Sequence, residues 1–441
     1  MHQLRKPEKQ SFQIIFLMIR KVFNSSLARN AGIYTLANII NSAIPFFLMP
    51  VLTRYMSTTD YGIVAMFSVL LAFVSPFTGL SIHGAIQRQY YEKEKIDLPV
   101  YITNCLLILV SSSALVFIVF SFFATPISKI SSFPESWLWV VVIVSIAQFI
   151  TLVNLSLWQV QLKARAYGFY QIAQTMLNVG LSLLLVVCLG MTWQGRIQAQ
   201  LFTMIVFGCI GLLFLYKGGW IKFVFNIQYI NNALRFGVPL LPHALGGTMM
   251  VMTDRFFITN MVGLDVTGLY SVGYQVGMII GLLGTSFNQA YVPWLFQRLK
   301  QNKEKSIIVK VTYIYFLLLI FLVICLTCIT PWFLSFFVGK NFSGAGIFVF
   351  WIALGFAFNG MYYMIVNFIF FVEKTYILAW ITLSCALLNI PFNYVFIKWN
   401  GPVGAAQSSA LTFFIFFVVT WILSSHVYKM PWLLSWSKRA Y

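Results

Sequence analysis

Charge is what this sequence has least of. Only 10 of its 441 residues are Asp or Glu, and all charged residues together make up 9%. A soluble domain carries about 25% charged residues, so these side chains cannot tile a water-facing surface of this size. A soluble enzyme, a nucleic-acid binder and a disordered scaffold are excluded. Histidine is equally scarce, with His2, His83, His243 and His426 in four separate segments. There is no G-x-S-x-G, P-loop or H-E-x-x-H. No catalytic residue, metal site, cofactor or ATP hydrolysis is therefore expected. The six cysteines all fall within apolar runs. Cys325 and Cys328 form a C-x-x-C with no second pair beside it, and they read as packing residues.

What is abundant is hydrocarbon, with 60% of the residues hydrophobic. A helix needs about 20 apolar residues to cross a bilayer, and it satisfies its own backbone there. Such runs occur at roughly 31–53, 61–83, 99–124, 137–158, 168–190, 197–216, 234–258, 267–294, 308–330, 347–371, 376–397 and 404–426. The expected fold is an all-α integral membrane protein of twelve transmembrane helices. The connections are short and leave no room for an extramembrane domain. Residues 1–30 differ. Phe12–Ile19 is apolar, but Arg20 and Lys21 follow it, which is the reverse of a signal peptide. They read as a basic amphipathic stretch on the inner membrane surface.

The net charge of +19 comes from 29 Lys and Arg. With the N-terminus inside, 23 of these fall on inner segments and five outside (Arg54, Lys129, Arg196, Lys340 and Lys398), leaving Arg255 alone within a span. That asymmetry predicts both termini in the cytoplasm. Trp137, Trp193, Trp332 and Trp399 sit near the outer ends, as an interfacial belt requires.

Sliding the chain by 209 residues aligns Arg165-Ala166-Tyr167 with Lys374-Thr375-Tyr376, and Gly195-x-x-Gln198 with Gly404-x-x-Gln407. A shift of 206 aligns Gly62 with Gly268. Six spans separate the equivalents, which predicts a parallel repeat with a path between its halves. The expected lobes are six helices over 31–226 and six over 227–441.

Ionisable groups inside spans are costly and point to function. Asp254 and Arg255 are adjacent in the seventh run and project about 100° apart on a helix, which argues against one tidy pair. A cavity role is expected for both, and snorkelling of Arg255 to the outer headgroups is the alternative. Arg54 closes the first span and reads equally as an interface anchor. Arg88 and Arg298 follow the equivalent spans two and eight and suggest a basic ring at the inner mouth, although ordinary inner-loop charges look the same. Pro45 and Pro50 in span one, and Pro239 and Pro242 in span seven, would let the leading helix of each half bend. Gly273, Gly277 and Gly281 make a flat face for close packing or gating.

Three blocks carry a resemblance. The first is Asn30-Ala31-Gly32 with Leu48-Met49-Pro50-Val51-Leu52-Thr53-Arg54-Tyr55-Met56-Ser57 and Asp60-Tyr61-Gly62. The second is Phe236-Gly237-Val238-Pro239-Leu240-Leu241-Pro242-His243 with Asp254-Arg255-Phe256-Phe257-Ile258 and Gly268-Leu269-Tyr270-Ser271. The third is Gly401-Pro402-Val403-Gly404-Ala405-Ala406. Together they resemble the Wzx-type O-antigen flippases of the multidrug/oligosaccharidyl-lipid/polysaccharide (MOP) exporter superfamily. The resemblance runs from residue 27 to about 425. It implies translocation of an undecaprenyl-diphosphate-linked oligosaccharide across the bacterial inner membrane, through a cationic cavity between two lobes. Membrane lipids, and the polymerase and chain-length proteins of such a pathway, are the implied partners; nucleic acid is not. Three rivals stay open. A cation-coupled drug exporter would favour acidic cavity residues. A major facilitator would show a different loop after span two. A glycan polymerase would need large outer loops.

Overall fold

The computed structural model describes residues 40–432 apart from 42, 45, 302–304 and 375. The basic segment 1–30 and Pro45 lie outside the described residues. The described chain is helical, with no strand. Its helices are α1 (residues 40–55), α2 (Thr58–Val74), α3 (His83–Tyr90), α4 (Leu98–Phe122), α5 (Ala124–Ser131), α6 (Leu138–Val160), α7 (Ala164–Ser182), α8 (Trp193–Lys217) and α9 (Ile227–Gly237). They continue as α10 (Leu241–Met261), α11 (Leu264–Gln301), α12 (Lys305–Phe337), α13 (Gly346–Phe371), α14 (Tyr376–Asn400) and α15 (Val403–Val427).

Local chemistry sets the helix starts. Ser57 accepts from the Asp60 N–H while Asp60 accepts from the Ser57 N–H, a reciprocal capping box that opens α2. Asp97 caps α4 through the Val100 N–H, and Pro99 in the first turn surrenders no helical bond. Asn226 caps α9 through the Gln228 and Tyr229 N–H groups.

Among the described residues, nine helices are long and apolar enough to cross a membrane. The expected runs from 99 onward, except the seventh, each coincide with one of them, with ends that differ by up to seven residues, as at Gln301 against 294. α2 is apolar but has only 17 residues. α10 carries Asp254 and Arg255. α1, α2 and α10 fall outside the nine, and all three line the interior space described below. For α1 and α2 the shortfall is length, whereas α10 has 21 residues and is less apolar, with its Arg255 facing that space.

Two expected spans need correction. The run 61–83 is not one helix: α2 stops at Val74, and a turn over 75–82 separates it from α3. Gly79, Leu80 and Ser81 are all left-handed there, at φ 76°, 51° and 55°. Pro76 starts the break, because its ring cannot continue an interior helix. The Gly79 N–H is satisfied by the Ser112 hydroxyl on α4 at 2.9 Å. The seventh run begins at Leu241 rather than 234. Pro239 lies in a short 3-10 turn and Pro242 in the first turn of α10. Both prolines therefore sit where a missing N–H costs no helical bond, and they join α9 to α10 rather than kinking a span.

The glycine stripe on α11 packs within its own half, against α13. A Cβ at Gly277 would lie 2.6 Å from Ile352, and one at Gly281 2.6 Å from Phe356. Gly62 and Gly268, which a shift of 206 residues aligns in the sequence, meet each other's helices where α2 crosses α11. A Cβ at Gly62 would stand 2.0 Å from the Leu264 carbonyl oxygen, and one at Gly268 1.9 Å from that of Thr58. The first and second halves touch main chain to main chain at this crossing.

Candidate functional site

Two neighbouring spaces with arginine in their lining share Arg196. The larger, about 650 Å³, is walled mainly by the 75–82 turn, α6, α7 and α8 of the first half, and Ala244 and Thr248 of α10 close it from the second half. Much of its wall is apolar, but polar groups from Ser75, Thr78, Ser81, His83, Gln148, Gln174, Asn178, Gln200 and Thr203 face it, with Asn41 from α1. No Asp, Glu or Lys lines it. The smaller, about 240 Å³, lies between the halves. It is lined by α1, α2, α10 and α11, and by Arg196 of α8. Arg196 borders both spaces, and Arg255 lines the smaller one.

Arg255 is buried, and its Nη1 donates to the Val251 carbonyl at 2.8 Å. The same nitrogen stands 3.2 Å from Asp254 Oδ1. The guanidinium lies 4.0 Å from the Tyr274 ring centroid and 5.7 Å from that of Tyr270, within cation–π reach of both. Asp254, 1% exposed, accepts the Arg255 backbone N–H at 2.7 Å through Oδ1 and the Tyr270 hydroxyl through Oδ2. The expectation that these neighbours could not pair is therefore overturned. The long Arg255 side chain folds back over the short Asp254, and Tyr270 and Tyr274 supply partners that its own helix lacks. Burial of the pair is offset by the bonds it makes, from Arg255 Nη1 to Val251 and Asp254 and to Asp254 from the Arg255 N–H and Tyr270.

Arg196 was placed in an outer loop by the charge count; it lies instead on α8, four positions into the helix. Its Nη1 donates to Asn178 Oδ1 at 2.7 Å and to Ser182 Oγ at 2.9 Å, both on α7. Arg255 is thus not the lone basic residue within a span. The signal was present: Arg196, Gln200 and Thr203 form a polar row at helical spacing inside an otherwise apolar run. Gln148 and Gln174 escaped notice for the same reason. Beside the arginines, Gln275 of α11 donates to the Tyr61 hydroxyl of α2 at 3.0 Å, tying the halves together.

The other expected site residues lie elsewhere. Arg54 is exposed and donates to the Phe336 carbonyl of α12 at 2.9 Å. Arg88 is exposed on α3. Arg298 lies over Trp294, 4.8 Å from the ring centroid. None of the three lines either space. The structure brings Arg196 and Arg255 together, from opposite halves, around one opening. Among the described residues no cluster of His, Cys, Asp and Glu could hold a metal.

The family model described as "Polysaccharide biosynthesis protein" matches residues 27–299, more than half of the chain. The chain belongs to that family. The MatE family model matches residues 239–395. Together with the fold, these matches place this polysaccharide biosynthesis protein in the MOP exporter superfamily. Two relatives are from Haemophilus influenzae. An "Uncharacterized membrane protein" is 26% identical over 356 residues, covering 79% of this chain and 85% of the relative. "Lsg locus putative protein 1" is 23% identical over 414 residues, covering 90% and 98%. Among solved structures, the lipid II flippase MurJ in an inward closed conformation superposes with a TM-score of 0.69 at 14% identity, covering 88% of this chain and 87% of that one. An inward-facing multidrug resistance MATE family transporter superposes at 0.63 with 13% identity, covering 89% and 94%.

Proposed function

We propose that this protein flips an undecaprenyl-diphosphate-linked oligosaccharide from the cytoplasmic to the periplasmic leaflet of the inner membrane. Two six-helix lobes, 31–226 and 227–441, would make up twelve spans with both termini cytoplasmic, and access would alternate between them. The observation that carries this reading is the placing of Arg196 and Arg255, from the two halves, at one space, with the neighbouring carboxylate of Asp254 already engaged by Arg255, Tyr270 and the backbone. A diphosphate cannot cross hydrocarbon unaided. It needs fixed guanidinium donors, which grip its oxygens in pairs, and a shielded polar route. The polyprenyl tail can remain in lipid throughout. Family membership supports a glycan pathway, and the MurJ likeness supports the architecture.

A drug exporter of the same superfamily fits less well, because a cationic drug would meet two arginines and no free carboxylate here. The test is complementation of surface polymer in a strain lacking the gene, read beside membrane protein level. Arg255→Ala should abolish export while the protein stays inserted, and Arg255→Lys should retain part of it. Normal polymer in the Ala variant would remove Arg255 from the path.

A further inference from the structure

The diphosphate accounts for the arginines but not for the larger space. A site for phosphate alone would be small and ringed by cations. This one is about 650 Å³, within the ~300–1,000 Å³ usual for ligand sites, and amides and hydroxyls dominate its polar lining. Gln148 of α6, Gln174 of α7 and Gln200 of α8 converge on it from three helices. A glutamine both donates and accepts, which suits a hydroxyl or an acetamido group and suits an isolated charge poorly. Two buried polar atoms on its wall, Thr203 Oγ1 and His83 Nδ1, have no hydrogen-bond partner within the protein, and Thr203 is 0% exposed. Buried polar atoms are almost always paired, so a ligand or water held there has donors and acceptors waiting for it. Arg196 stands at the boundary with the smaller space, so a group attached directly to a diphosphate held there would project into this chamber.

We propose that the chamber of the first half is a sugar subsite that recognises the glycan residue next to the diphosphate and selects uncharged sugars rich in hydroxyl and acetamido groups. Gln148, Gln174 and Gln200 determine that selectivity. The chamber's amides all come from the first half, with Ala244 and Thr248 of α10 completing its wall from the second, while both halves hold the phosphate. A sugar with a free amine finds no carboxylate on the chamber wall and meets Arg196 at its edge; it is disfavoured. This subsite rests on the flippase reading.

The experiment measures binding to the purified full-length chain in detergent, with three probes that share one polyprenyl diphosphate. The first carries no sugar, the second one N-acetylhexosamine and the third one hexosamine with a free amine. In the wild type the N-acetylhexosamine should tighten binding at least tenfold over the bare lipid, and the free amine should not. Each amide contributes about 2- to 10-fold through its hydrogen bonds. Gln148→Ala and Gln200→Ala should therefore each erase part of the sugar's advantage and the double variant most of it, with bare-lipid affinity unchanged within twofold. Gln148 faces the chamber and is exposed, so its truncation leaves folding intact even if Gln200→Ala does not. Arg196→Ala and Arg255→Ala should weaken all three probes alike. Equal wild-type affinity for bare and sugar-bearing lipid would overturn the subsite while leaving the flippase reading standing, and so would a sugar advantage that survives both glutamine changes. No binding of any probe would overturn the flippase reading and the subsite with it.

Discussion

Arg196 offers a test that the sequence alone did not suggest. Its Nη1 is committed to Asn178 and Ser182, which fixes the plane of the guanidinium and leaves Nη2 and Nε as the donors an anion can use. Removing the side chain deletes one or two charge-assisted hydrogen bonds, each worth about 1.5–3 kcal/mol. Because Arg196 is only half-buried and water reaches it, the net loss should lie near the value of one bond, about 1.5–3 kcal/mol, or roughly 10- to 150-fold in affinity for a lipid diphosphate. Arg196→Gln separates charge from structure: the amide can still reach Asn178 but cannot pair with phosphate. Both Ala and Gln should therefore lose transport in proteoliposomes loaded with a fluorescent polyprenyl-diphosphate glycan. The melting temperature of the Gln variant should stay close to wild type. Arg196→Lys should fall between, since one ammonium cannot form a fork. Transport at wild-type rate by a well-folded Gln variant would refute the assignment of Arg196 to the phosphate.

Two further outcomes follow from the packing and the loops. Gly268→Ala puts a methyl 1.9 Å from a backbone carbonyl, so α2 and α11 must part; overpacking of this kind costs about 1–3 kcal/mol. Lower melting temperature and lost export are expected, while Gly247→Ala, with nothing within 4 Å, should match wild type in both assays. At the membrane surface, the hydrogen bond from Lys222 at 2.7 Å holds the Asp97 carboxyl below its ordinary pKa, helped by the Val100 N–H. A lowered folded-state pKa contributes stability that is present above about pH 4 and fades as pH falls through the folded value. Acidifying from pH 6 to 3 should therefore depress the melting temperature of the wild type more than that of Asp97→Asn, and an identical slope in the two proteins would contradict this.

The helices were legible because a membrane span must be long, apolar and self-bonded, and few sequences of 20 residues meet all three conditions. That is why α4, α6 and α8 begin and end within a few residues of their hydrophobic runs. What hydropathy hid is what departs from lipid. Pro76 and Gly79 mark the break after α2, but the flanking apolar residues masked it. Arg196 stands only three residues past Trp193, so a count of charges by loop assigned it to the surface. The Asp254–Arg255 pair was judged on the angle between successive Cα–Cβ directions, whereas an arginine side chain is long enough to fold back across it. Tyr270 and Tyr274 reach that pair from α11, and no spacing within α10 could announce them.

The two-glycine crossing also fixes how far a small tilt is amplified. Where Gly62 and Gly268 let backbone rest on backbone, the two helices come closest, and a relative tilt would turn about that point. From Gly268 the helix α11 runs unbroken to Pro293, about 37 Å at 1.5 Å per residue. On the other arm, α2 ends at Val74, only about 18 Å beyond Gly62. A tilt of about 10° at the crossing would carry the residues near Pro293 through about 6 Å but the end of α2 through only about 3 Å. The lever has unequal arms: under such a tilt the long arm of α11 would travel farther than the short arm of α2, which ends at the left-handed turn beside the polar chamber.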